Sequence, residues 1–161
     1  MDAAQEIPIP IRGCLEACDR CCHVLDAITE EMFAGDRPDH QPIGAHLRHA
    51  LEHMSCFVQG LPEGIVDYDS RDRDAAIESD PALFREVLHE LMSALRSIPT
   101  AHLGDVIQVR QTASLDTEPM TLNSTIEREL APAQPCRARW CCSAGCNDFP
   151  LEMTDAGRRK L

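Results

Sequence analysis

Apolar residues recur at helical spacing in three stretches of the chain and alternate briefly in a fourth. From about Gly13 to Phe33, the positions Cys14, Cys18, Cys21, Leu25, Ile28 and Met32 share one stripe at about 100° per residue, while Asp19, His23 and Asp26 fall on the other side. This predicts a first helix, preceded by "IPIPI" (7–11), which is too rich in proline for a helix and reads as an extended lead-in. A loop with Gly and two prolines, "AGDRPDHQP" (34–42), leads to a second helix from about Ile43 to Gln59. Its stripe is Ile43, Leu47, Ala50, Leu51, Met54, Phe57 and Val58, and Gly60 and Pro62 stop it. The third helix opens on Asp80 as cap and Pro81 in the first turn, and ends before Pro99. It buries Leu83, Val87, Leu91, Ala94, Leu95 and Ile98 and turns His89 outward.

Between these helices the pattern is weaker. "GIVDYDSRDRD" (64–74) shows no helical stripe and reads as a charged connection, its Asp and Arg residues neutralising one another. Short alternation around Val106 to Val109 predicts a hairpin-like excursion within 105–123. "STIEREL" (124–130) then starts a fourth helix, with Ser124 and Glu127 spaced as a capping box. Pro132 and Pro135 forbid its regular continuation.

Composition sharpens this outline. At 161 residues the chain suits one domain, and with only 4% aromatics its core must be aliphatic, helped by Met and Cys. The net charge of −12 excludes a phosphate-binding basic face, so no nucleic-acid partner is expected, and it disfavours anionic membrane. The N-terminus lacks a basic region followed by an apolar one, and the chain reads as cytoplasmic, with its nine cysteines reduced. Charge also divides the sequence. Residues 1–131 carry 10 basic and 24 acidic side chains, a net of −14, whereas residues 132–161 carry 5 and 3, a net of +2.

Taken together, "IGAHLRHALEH", "GIVDYDSRDRDAAIESD" and "STIEREL" resemble the DinB-like family, over about residues 13–131. Members of that family are related to bacillithiol- and mycothiol-dependent transferases. The resemblance implies an all-α fold, an up-down-down-up four-helix bundle, here with a curtailed fourth helix. It implies a divalent metal, Zn or Ni, held by three histidines, and a small-molecule thiol cosubstrate. One ligand comes from the stretch that reads "IGAHLRH", where His49 aligns best. The other two come from a His-x-x-x-His pair on the helix that begins "STIEREL". Here the chain continues "APAQPCRARWCCSAGC", and no histidine follows His102. A reading-frame change near codon 131 accounts for the abrupt change in character. The expected protein is therefore a catalytically impaired relative, or else a non-catalytic helical module. The tail from 132 on is expected to be poorly ordered, and the uncovered helix faces are expected to favour a homodimer.

The candidate metal ligands are His46, His49 and His53, on one flank of the second helix. Neutral imidazoles suit Zn or Ni, and the i, i+4 pair His49 and His53 can chelate one ion. All three cannot readily share it, since positions i and i+7 lie about 10 Å apart along a helix axis. The alternative is that they are boundary residues beside the core. Cys14, Cys18 and Cys21 lie on the core stripe and read as packing residues. Cys136, Cys141, Cys142 and Cys146 form a second cluster that could hold zinc.

Overall fold

The computed structural model describes residues 6–35, 42–70, 74–112 and 118–131. The tail and its four-cysteine cluster lie outside the described residues. Among the described residues, five α-helices and a three-stranded sheet follow in the order α1 (Ile9–Ala27), α2 (Glu30–Ala34), α3 (Ile43–Gly60), β1 (Ile65–Asp67), α4 (Pro81–Arg96), β2 (Val106–Gln111), β3 (Met120–Thr125) and α5 (Ile126–Leu130). The fold is mixed α/β, which overturns the all-α four-helix bundle expected from the resemblance.

Helix α1 starts earlier than the prolines suggest. Pro8 is the cap, its carbonyl accepts from the Arg12 N–H, and Pro10 stands in the first turn. A first-turn N–H has no partner within the helix, so a residue without one loses nothing there. The helix breaks at Ile28, and Thr29 caps α2 by accepting from the Met32 N–H. That break rotates the stripe: Phe33 becomes fully buried and Met32 is turned out. Gly35, at φ 75°, closes α2 in the left-handed region. Helices α3 and α4 lie where the pattern sets them, but the buried face of α4 is turned from the predicted stripe: Phe84, Leu88 and Met92 are buried with Leu91 and Leu95, while Leu83, Val87 and Ala94 are half-buried. Asp80 caps α4 by accepting from the Ala82 and Leu83 N–H groups.

The sheet has the order β1-β2-β3. Strand β2 pairs antiparallel with β3, the predicted hairpin, and parallel with β1, which lies on the far side of α4 in sequence. Its side chains alternate, with Ile107 and Val109 buried and Val106, Gln108 and Arg110 exposed. Val66 on β1 joins the same buried face, in register with Val109. The sheet approaches α3 closely at Gly60, where a Cβ would meet the Ile65 carbonyl and lie 2.9 Å from Val66 Cα. "GIVDYDSRDRD" is therefore a sheet edge at its start rather than a bare connection. The fourth helix also begins one residue later than the capping box implies. Ser124 ends β3 and is buried, while the Thr125 hydroxyl accepts from the Arg128 N–H and caps α5.

One core joins helices and sheet, and Phe33, Phe84, Ile11, Leu88, Leu95, Leu130 and Val66 are its most enclosed large side chains. Phe33 and Phe84 meet edge to face, their ring centroids 5.7 Å apart. A buried carboxylate, Glu52, is matched by Arg48 one turn earlier, whose Nε also donates to Glu78 Oε2 at 2.9 Å. That ion-paired group ties α3 to the segment leading into α4. Among the described residues, no helix is long and apolar enough to cross a membrane.

Candidate functional site

The periodicity that builds α3 sets its three histidines along one flank. His49 is exposed, while His46 and His53 are half-buried. The rings of His49 and His53 meet edge to face with centroids 4.9 Å apart, as their i, i+4 spacing requires. His53 also packs on Tyr68, at 5.4 Å between ring centroids. The ring contacts thus gather His49 and His53 with Tyr68, and they do not include His46.

Tyr68 follows directly on β1, and its main chain is held by the sheet: its N–H donates to the Arg110 carbonyl at 3.0 Å. Its hydroxyl donates to Glu129 Oε2 on α5 at 3.1 Å. Burial, and the negative charge of the Glu129 carboxylate beside it, push the phenol well above its ordinary value, so it stays protonated and acts as a donor. The other oxygen of Glu129 accepts from the Ser124 hydroxyl at 2.5 Å, and Arg128 Nη1 stands 3.3 Å from it. This carboxylate is engaged on both oxygens before any ligand arrives. Nearby, Asp67 pairs with Arg110 at 3.7 Å, and its carbonyl accepts from the Cys56 thiol at 3.0 Å. The acidic residue is thus answered by an arginine on β2, outside its own charged run.

The sequence singled out the histidines but passed over Tyr68 and Glu129. The tyrosine lay in a run read as solvated charge, and the glutamate in a helix start read as capping. Nothing local signals their meeting, because 61 residues separate them. Among the described residues, no group of three or more His, Cys, Asp or Glu side chains is placed to hold a metal ion. Two imidazoles on adjacent turns can still grip one ion weakly, with open positions left to water or a thiol. A separate open groove of about 560 Å³ runs along the ends of α3, α4 and β2, with His102 and Asp105 among its lining. None of the three α3 histidines lines it.

Comparison with protein-family models, with curated proteins and with solved structures finds no match to this chain.

Proposed function

We propose that this chain is a catalytically impaired relative of the metal-dependent thiol transferases of DinB-like type. It retains on α3 the one surviving ligand of a three-histidine metal site, His49, with His53 beside it as a second donor. The observation that carries this reading is the His49–His53 pair, its rings in contact and backed by Tyr68, which is anchored on Glu129 of α5. The sequence motifs that resemble the family thus meet in space. A divalent Zn or Ni ion bound there would polarise a water or a thiol and lower its pKa. His49 and His53 would hold it, and Tyr68 would fix the position of the His53 ring. Two ligands leave such an ion too weakly held for turnover, because a catalytic zinc needs three protein ligands and an open position. A cytoplasmic place for it is in keeping with the free thiols of Cys14, Cys18, Cys21, Cys22 and Cys56.

The test is metal analysis of tag-free protein. The expected content is below about 0.2 metal per chain, with weak Ni(II) uptake that His49→Ala removes. Stoichiometric zinc lost on His49→Ala would mean a complete site and a working enzyme. Zinc lost instead on Cys141→Ser with Cys142→Ser would assign the metal to the tail. No uptake by the wild type at any Ni(II) concentration would leave a non-catalytic binding or structural module.

A further inference from the structure

β3 is the open edge of the sheet. At the other edge the outward carbonyls of β1 face α3: Ile65 stands against Gly60, and Asp67 accepts from the Cys56 thiol. The bonds of β2 fix which groups of β3 point outward. Gln108 donates to the Gly64 carbonyl and Arg110 accepts from the Tyr68 N–H, so the main-chain groups of both turn toward β1. Those of Ile107, Val109 and Gln111 turn toward β3, where their partners are Ser124, Leu122 and Met120. Thr121, Asn123 and Thr125 therefore point their main-chain groups away from the sheet. Among the described residues, nothing takes up the N–H and C=O of Thr121 and Asn123. The strand carries no charged side chain and no proline, the usual means of keeping an edge unpaired. Leu122 lies across from the buried Val109, yet it is 46% exposed on this open side.

We propose that β3 pairs antiparallel with β3 of a second copy of this chain, about a two-fold axis at Leu122. The two sheets then run on as one. The strand is complementary to itself in this register. Thr121 of each copy faces Asn123 of the other, and each such pair exchanges two N–H···O=C bonds. One step outward, Pro119 faces Thr125. Pro119 has no N–H, and the Thr125 carbonyl, at the cap of α5, already accepts within that helix. The missing donor thus falls opposite the occupied acceptor, while the Thr125 N–H meets the Pro119 carbonyl. Neighbouring registers lose this match. With the axis at Thr121, the Asn123 carbonyl would meet Pro119 and find no donor. With the axis at Asn123, the Thr121 N–H would meet the occupied Thr125 carbonyl. At Leu122 the axis also sets the two leucines opposite each other in a non-hydrogen-bonded pair, where side chains come closest.

Charge complements the contact. Two copies at −12 repel at long range, but β3 brings no charge to the axis. At each end Glu118 falls opposite Ile126 of the other copy, beside the exposed Arg128 on the same helix. The paired area is small, below the roughly 1,200 Å² of stable complexes, so the dimer is reversible, with a Kd of about 10–100 μM.

The experiment is sedimentation equilibrium of the full-length chain under reducing conditions, from about 1 to 500 μM, which brackets that Kd. A monomer–dimer equilibrium is expected. Leu122→Lys sets like charges opposite each other at the axis, and Asn123→Pro removes a donor that β2 does not use; each should weaken association by about tenfold or more. Val106→Lys, at an exposed apolar side chain on the opposite face of the sheet from Leu122, should leave it unchanged. Melting by circular dichroism checks that each variant is folded, and Leu122→Lys carries the test if Asn123→Pro does not fold. Leu122→Cys should give a covalent dimer on oxidation, joined through the introduced thiols in the peptide map, because a non-hydrogen-bonded pair sets its Cα atoms about 4.5 Å apart. A chain that stays monomeric over the whole range, as it would if another segment or partner covered β3, would overturn the proposal. So would a dimer that Leu122→Lys and Asn123→Pro leave intact.

Discussion

The Tyr68 hydroxyl donates to Glu129 Oε2 at 3.1 Å and so joins the edge of the sheet to the last described helix across 61 residues of sequence. Removing only that oxygen should release α5 without emptying the space beneath it. Tyr68→Phe is expected to cost about 0.5–1.5 kcal/mol, the usual net value of one intramolecular hydrogen bond. Urea unfolding of the two proteins measures it. Glu129→Gln should cost less in that background than alone, because its contact with Tyr68 is already gone and only those with Ser124 and Arg128 are left to change.

The cap of α4 offers a second measurement. Asp80 accepts from two first-turn N–H groups, and Asp80→Ala leaves both to water. The expected loss is about 1 kcal/mol, whereas Asp80→Asn, which keeps an acceptor oxygen, should lose far less. Thermal melting of both variants separates the capping bond from simple removal of charge.

Gly44 provides the severest single change. A Cβ there would collide with the Glu78 carbonyl and lie 2.8 Å from Phe33 Cε1. Gly44→Ala must therefore push α3 away from the segment that pairs Arg48 with Glu78. A loss of about 1–3 kcal/mol is expected from this overpacking, despite the gain in helix propensity. A more stable variant in chemical denaturation would show that α3 can shift freely.

Alkaline pH should unfold the protein through α1. Burial raises the Cys14 thiol from its ordinary 9.0 to about 11 and the Cys18 thiol to about 12. The folded chain holds these protons more tightly than the unfolded one. Their stabilisation is complete below pH 9, and it falls as pH rises toward 11 for Cys14 and 12 for Cys18. The slope should reach at most about 1.4 kcal/mol per pH unit for each thiol. Denaturant midpoints measured between pH 8 and pH 10.5 should fall, and the decline should be shallower in Cys18→Ala. An identical slope in that variant would trace the decline to other groups.

The sequence resolved those parts of the fold whose signals are local. α3 and α4 were legible because a stripe of apolar residues and a cap or stop agree over at least four turns. The β2–β3 hairpin was legible because its strands are neighbours in sequence. β1 was not, because three residues are too few for a period, and its partner β2 lies beyond α4. Without β1 the hairpin looked like an appendage to helices, whereas it is two-thirds of a sheet that shares their core. The start of α1 was missed because proline forbids a helix interior but suits the first turn. At the candidate site, the His49–His53 pair was written in the spacing. Tyr68 and Glu129 reach it only through long-range pairing, which no short window of sequence records.

The contact between Cys14 and Leu130 sets an order of events during synthesis. α1 is made first, yet its buried face of Ile11, Cys14, Leu15, Cys18, Cys21 and Leu25 is closed by α4 and then by α5, whose last residue comes 116 positions after Cys14. At about 5–20 residues per second, the ribosome needs several seconds or more to supply those partners. Throughout that interval an amphipathic helix waits with its apolar side bare. Pauses in translation before residue 81 would lengthen that exposure, because α4 has not yet been made.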